Sequence, residues 1–164
     1  MAFKHEDYCT QLKNGGIEED ILTRRLFDVN MRLFQSSQEY NAIVLHICSY
    51  MRWCATTEKE GYKKPHGYSG ANAGIPFNII ALADGRVMIN PKIFWTSQDV
   101  RKVESNCGSL LLERPITIER YSHIRCSFFD EDGMEHEIDG YLPTVQHETD
   151  HNNGILITDR LVTD

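Results

Sequence analysis

Between Gln38 and Cys54 the apolar residues Tyr40, Ile43, Val44, Ile47, Tyr50, Met51 and Cys54 recur at intervals of three and four. That is the period of one helix face, and it predicts an amphipathic α-helix over the span. His46 falls one residue off the stripe with no second ligand type one turn away, so it reads as a helix-surface or boundary histidine. The period then changes. Phe77 to Ala83 and Arg86 to Asn90 are β-rich and separated by Asp84-Gly85, the two-residue signature of a hairpin turn. Pro91 is expected to end the second strand, because it has no N–H to offer a ladder. Ile116 to Arg120 and Ile124 to Phe129 alternate and predict two more strands, followed by a turn at Asp130 to Gly133 and a return strand at Met134 to Ile138. After Gly140 a last helix is expected from about Pro143, which is tolerated in a first turn, to near Gly154, a natural C-cap.

Three stretches lack a period. Residues 1–30 stay largely unassigned, apart from a short helix suggested by Glu18 to Phe27, and Thr56 to Pro65 reads as a solvated loop. Gly67 to Pro76 carries glycines at 67, 70 and 74; such a run either lets backbone approach a strand or ligand closely or forms a surface loop. It fits neither a Walker loop nor GxGxxG. With no repeat and no linker, the order of elements predicts one α+β domain over 1–164, with antiparallel β-sheets around a central helix.

Composition narrows the class. A chain of 164 residues can bury a core without disulfides, and 41% hydrophobic with 25% charged residues is ordinary for a globular protein. A net charge of −7 with no basic block argues against nucleic acid recognition and against an anionic membrane partner. There is no apolar run of transmembrane length, and Met1 to Gly16 is too polar for a secretory signal, so a cytoplasmic location is expected. Cys9, Cys48, Cys54, Cys107 and Cys126 are odd in number, scattered and free of CxxC pairs, which speaks against a disulfide framework or zinc ribbon. Most are expected to be buried as small apolar residues.

The chemistry lies in the last helix. His147 and His151 are four residues apart, so a helix stacks both imidazoles on one face, and Glu148 beside them completes an HExxH pattern with a candidate general base. Catalytic metal sites usually take three protein ligands. An extended HExxHxxGxxH motif would put a histidine at position 157, but although Gly154 is in place that residue is Ile157, and no Glu follows Glu148. The third ligand is therefore expected upstream, among Cys107, His123, His136 and the acidic residues of Asp130 to Asp139. Cys107 is the best of these, because its small polar neighbours in Ser105-Asn106-Cys107-Gly108-Ser109 let N–H groups approach and stabilise a thiolate. A thiolate with two imidazoles suits zinc or ferrous iron. The plain alternative is a chance HExxH on a helix surface.

These residues resemble the peptide deformylase family. Gln146-His147-Glu148-Thr149-Asp150-His151, with Gly154 and Asp159-Arg160-Leu161, is similar to that family's QHExDHxxG...DRL. Cys107 and Ser109 stand at the cysteine and serine of EGCLS; Gly67, Asn72 and Gly74 stand at the first glycine, the glutamine and the last glycine of GLAAPQIG. Ile75-Pro76, Ile79-Ile80 and Ile89-Asn90-Pro91 continue in the family manner, and the resemblance runs from about Tyr40 to Leu161 with the motifs in order. Four departures stand out. Asn72 is one methylene shorter than glutamine; Ser105 and Asn106 replace Glu-Gly, with Glu104 one place early; Gly108 replaces leucine but keeps its N–H. The sequence also lacks the helix that many bacterial members carry after the third motif, so the likeness is to a short form, a kind found among phage and organellar sequences.

The resemblance implies a metal-dependent hydrolase that removes the N-formyl group from the N-terminal formyl-methionine of nascent polypeptides. It implies one divalent metal ion, Fe2+ with Zn2+, Ni2+ or Co2+ as substitutes, held by Cys107, His147 and His151. Glu148 would move the proton, the Asn72 amide and the Gly108 N–H would serve a developing oxyanion, and His66, Gly67 and Asn106 would line the cleft for an extended peptide. The expected partners are a formyl-methionyl peptide and the ribosome, with the chain a monomer. Asp150 and Arg120 form either an ion pair behind the histidines or a plain surface pair. Two other readings stay open: an HExxH metallopeptidase, which lacks its usual third ligand, and a silent deformylase-like metal-binding protein, which the intact Glu148 speaks against.

Overall fold

The structure, a computed structural model, describes residues 22–58, 65–108 and 114–162. Cys9, Ser109, residues 59–64 of the expected loop and the start of the helix expected from Glu18 lie outside the described residues. Leu22 is helical, but the helix does not continue to Phe27. Arg25 and Phe27 make isolated β-bridges to Asn153 and Phe77, and the Leu26 N–H donates to the Asn152 carbonyl at 2.8 Å. Backbone partners from distant segments hold this stretch extended.

A short helix α1 (Met31–Ser36) leads into α2 (Gln38–Thr56), which starts where the Ser37 hydroxyl accepts the Tyr40 N–H at 3.3 Å. The helix is the one predicted, but its buried line is rotated. Val44, Cys48, Met51, Cys54 and Ala55 are wholly or almost wholly buried, whereas Ile43 is 52% exposed. His46 is exposed, as expected for a surface position.

Five strands form one antiparallel sheet: β1 (Gly67–Ser69), β2 (Ile79–Leu82), β3 (Val87–Thr96), β6 (Ile124–Phe129) and β7 (Glu135–Gly140), in that spatial order. β4 (Val100–Ser105) and β5 (Ile116–Tyr121) pair separately, from Val100 opposite Tyr121 to Ser105 opposite Ile116. The turn at Asp84-Gly85 joins β2 to β3 as predicted, with Gly85 at φ 91 supplying the conformation the turn needs. Pro91 does not end its strand. Asn90 takes φ 53 and the register shifts between Ile89 and Lys92, so the missing N–H falls in a β-bulge and β3 runs on to Thr96. The bulge is pinned from outside: the Asn90 carboxamide accepts the Val29 N–H at 2.7 Å and donates to the Val29 carbonyl at 2.8 Å. β4 has no counterpart in the pattern reading, because most of its residues are exposed and it carries no apolar alternation.

Alternation along the central strands divides the core in two. Ile79, Ala81, Val87 and Ile89 pack with Val44, Cys48 and Met51 of α2, while Ile80, Leu82, Met88, Ile124, Cys126 and Phe128 pack on the opposite face with Val145. Val145 belongs to α4 (Pro143–Asn152), which follows β7; a four-residue helix α3 (Gly70–Ala73) follows β1. The sheet is thus held between α2 and α4, an α+β arrangement of antiparallel sheets around the HExxH helix. Among the described residues, no helix is long and apolar enough to cross a membrane.

Candidate active site

α4 is buried around most of its circumference although most of its residues are polar: Gln146, Glu148, Thr149, Asp150, His151 and Asn152 are all buried. Burial of polar groups demands partners. Gln146 closes two bonds with the Tyr121 backbone, accepting its N–H at 2.9 Å and donating to its carbonyl at 3.1 Å. Asn152 donates to Asn78 Oδ1 at 3.0 Å and to the Ile79 carbonyl at 3.1 Å, and accepts the Ala71 N–H at 3.3 Å. The helix is therefore stitched at one end to β5 and at the other to β2 and α3.

On the face between these stitches the two imidazoles meet, with ring centroids 4.6 Å apart and their Nε2 atoms 3.1 Å apart. β4 carries the chain to Cys107, whose Sγ lies 3.3 Å from His151 Nε2, and the three ligand atoms all fall within 4.8 Å of one another. Among the described residues these three are the one set of Cys, His, Asp or Glu side chains spaced to hold a metal. Cys107 and His151 are buried and His147 half-buried, so the cluster opens on the His147 side. Although the sequence neighbours of Cys107 are polar, in space it packs with Ile118 and Ile157. The residue occupying the position of an extended-motif histidine is thus part of the apolar wall behind the sulfur. Burial first pushes His147 down to about 3, with His151 and Arg120 adding to it, and His151 down to about 4, with Asp150 opposing and Arg120 adding; both imidazoles stay neutral with a lone pair available. A soft sulfur and two neutral imidazoles converging on one point fit a single divalent ion. His123 and His136 are elsewhere and exposed, 3.7 Å from Asp139 Oδ2 and 2.6 Å from Asp130 Oδ2.

Glu148 sits beside this cluster, 4% exposed, with Oε2 buried and without a hydrogen-bond partner among the described residues. Desolvation raises its pKa to about 8 against the opposing pull of Arg120 and the Ser69 hydroxyl. Gly67 lets β1 come this close: a Cβ there would lie 2.7 Å from Thr144 Cγ2 and 2.9 Å from Glu148 Cγ. Of the two openings left by the sequence, the glycine-rich run is the close-approach one. Asn72 is buried in α3, and Gly108 is exposed next to Cys107, where an added Cβ would meet no atom of the described residues within 4 Å. Asn106 is exposed, its Oδ1 accepting the Cys107 N–H at 2.8 Å, and His66 is exposed just before β1. Glu104 is also exposed, on β4.

Behind the histidines lies a charged network. Arg120, 4% exposed, ion-pairs with Asp150 and reaches His147 Nδ1 at 3.2 Å; Arg160 pairs with the other Asp150 oxygen at 2.8 Å. The pair that the sequence left between surface and interior is interior. Arg160 has no signal in the sequence outside its motif, and Ser69 has only its S-x-x-N spacing with Asn72, a capping signal set among glycines.

The fold and the cluster together define an α+β protein organised around a single-metal constellation on an HExxH helix. Residues 32–164 match the polypeptide deformylase family. The chain is 38% identical over 79 residues to a peptide deformylase of Nitrobacter hamburgensis, covering 46% of this chain and 45% of that protein. It is 32% identical over 106 residues to one of Afipia carboxidovorans, covering 58% and 61%. It thus spans about half the length of the curated relatives it matches. A Plasmodium falciparum peptide deformylase in complex with an inhibitor superposes with a TM-score of 0.68 at 26% identity, covering 89% of this chain and 86% of that one. The chain belongs to the polypeptide deformylase family.

Proposed function

We propose that the chain is a peptide deformylase that removes the N-formyl group from the N-terminal formyl-methionine of nascent polypeptides. The observation that carries this reading is the convergence of Cys107, His147 and His151 beside a buried Glu148 in a chain of this family. The three residues are the proposed ligands of one divalent ion, Fe2+ with Zn2+, Ni2+ or Co2+ able to replace it. When bound, the ion supplies Lewis-acid polarisation of water and of the formyl carbonyl. Glu148 takes the proton of the attacking water and returns it to the leaving amine. Burial makes the Glu148 carboxylate a firm proton acceptor, and a cation held beside it would favour the ionised form that acts as the base. The Asn72 amide and the Gly108 N–H donate to the oxygen that gains charge, and among the described residues nothing crowds the Gly108 α-carbon. His66, Gly67 and Asn106 line the cleft, and the position of β1 at the sheet edge supports extended binding of the peptide. The chain acts as a monomer, on peptides at the ribosome, in the cytoplasm or an organelle.

The test is formate release from formyl-Met-Ala-Ser by iron- or nickel-loaded protein. Release is expected from the parent chain and from no sample of Cys107→Ala, whose metal content by elemental analysis should fall to background. A loaded parent protein that releases no formate would be a silent metal-binding relative, and cleavage of internal peptide bonds would make it a peptidase.

A further inference from the structure

Asn72 stands where the family motif has glutamine, and Ser69 stands where it has alanine; the two departures meet in space. Ser69 is fully buried, ends β1 and caps α3. The Asn72 N–H donates to Ser69 Oγ at 3.2 Å, the Ser69 N–H donates to Asn72 Oδ1 at 3.2 Å, and the Ser69 hydroxyl donates to the same Oδ1. A backbone N–H can only donate, so the carboxamide atom facing Ser69 must be the oxygen. Both donors of Ser69 therefore orient the Asn72 amide oxygen-inward and turn Nδ2 away from Ser69. An alanine at this place would keep the single bond from its N–H and lose both bonds of the hydroxyl.

We propose that Ser69 is a positioning residue for Asn72, and that the two form a matched pair in which the added hydroxyl compensates for the missing methylene. By holding the carboxamide in one orientation, Ser69 presents the Nδ2 donors to the reacting oxygen. That last step rests on the deformylase reading, whereas the orientation of the amide does not.

The experiment compares kcat and KM of the nickel-loaded enzyme on formyl-Met-Ala-Ser across Ser69→Ala, Asn72→Ala, Asn72→Gln and the doubles S69A/N72A and S69A/N72Q. Ser69→Cys, close in volume but a weak hydrogen bonder, serves as a second variant should alanine fail to fold. In parallel, the Asn72 side-chain amide is followed by 15N NMR, which needs no turnover. Ser69→Ala is expected to lower kcat by roughly tenfold to a hundredfold with KM within about twofold, because misplacement of a positioned group acts on the transition state. The same change should have no further effect in the Asn72→Ala background. Asn72→Gln alone should lower kcat, S69A/N72Q should recover most of that loss, and the Asn72 amide signals should shift in Ser69→Ala. Equal losses from Ser69→Ala in both backgrounds, a higher kcat in Asn72→Gln with Ser69 retained, or unmoved Asn72 signals would each overturn the pairing. Absence of formate release from the parent enzyme would instead refute the deformylase reading, and the NMR comparison would still decide whether Ser69 orients Asn72.

Discussion

α2 and α4 lie on opposite faces of the same sheet, and different forces hold them there. α2 presents Val44, Cys48, Met51 and Ala55 to Ile79, Ala81, Val87 and Ile89, an apolar contact in which shape and volume matter and direction does not. Burial is complete enough to push the Cys48 thiol up to about 12. α4 contributes one apolar side chain, Val145, to its core and otherwise buries groups that must each find a specific partner. Hydrogen bonds from Gln146 and Asn152 and the Asp150 pair with two arginines set its axial position and its rotation. Non-directional packing suffices for a scaffold, whereas a helix that must aim His147 and His151 at one point needs directional ties.

The largest effect expected on the α4 side is chemical. Glu148→Ala should lower kcat by roughly 10² to 10⁴-fold while metal content stays at the parent level; near-normal turnover would remove Glu148 from the mechanism. Asp150→Asn keeps the shape but leaves Arg120 a buried guanidinium without its counter-charge, so denaturant unfolding should show a loss of roughly 3–5 kcal/mol. A change under about 1 kcal/mol would mean that water solvates the two arginines well enough without the carboxylate. On the α2 side, Met51→Ala opens a cavity in a fully buried contact and should cost roughly 2–5 kcal/mol, yet the purified variant should keep its metal and its kcat. If it loses the metal, the two faces are not separate.

A subtler contrast is in pH. In the metal-free protein the two imidazoles, held near 3 and 4, stay neutral when folded, while the unfolded chain protonates them below about 6.5. Stability from this source falls as pH drops from 6.5 towards 4. Glu148, raised to about 8, has the opposite sign: the folded chain keeps its proton while the unfolded chain loses it above about 4.5, so stability falls as pH rises towards 8. Above pH 6.5 the imidazoles no longer contribute, so the urea midpoint should decline between pH 6.5 and 8, and Glu148→Gln should flatten that limb and steepen the acid one, where Glu148 offsets part of the imidazole effect. A midpoint that rises over that interval would show that Glu148 ionises freely in the folded chain. Smallest of all, Ile43→Ser on the exposed side of α2 should stay within about 0.5 kcal/mol; a larger loss would show that the helix is packed on the side where the structure leaves it open.

Where one residue's neighbours are set by local period, the pattern was readable. α2, the hairpin at Asp84-Gly85 and β6 over Ile124–Phe129 all followed from it. The pattern misleads where a distant partner decides. Residues 25–27 bridge to Asn153 and Phe77 instead of coiling, and Val29 pins the Asn90 bulge that lets β3 pass Pro91. β4 escaped notice because both of its faces are largely exposed, so it has no alternation to detect.

The spacing of His147 and His151, the placing of Glu148 between them and the exclusion of a third histidine at Ile157 are properties of the sequence alone, since a helix converts fixed intervals into a shared face. Tertiary structure decided the rest. Cys107 precedes His147 by 40 positions, and no local rule links them; the pairing of β4 with β5 and the packing of Ile118 and Ile157 bring the sulfur to the imidazoles. The same holds for the burial of Arg120, Ser69, Asn72 and Glu148, because solvent exclusion arises only once separate elements close over one another.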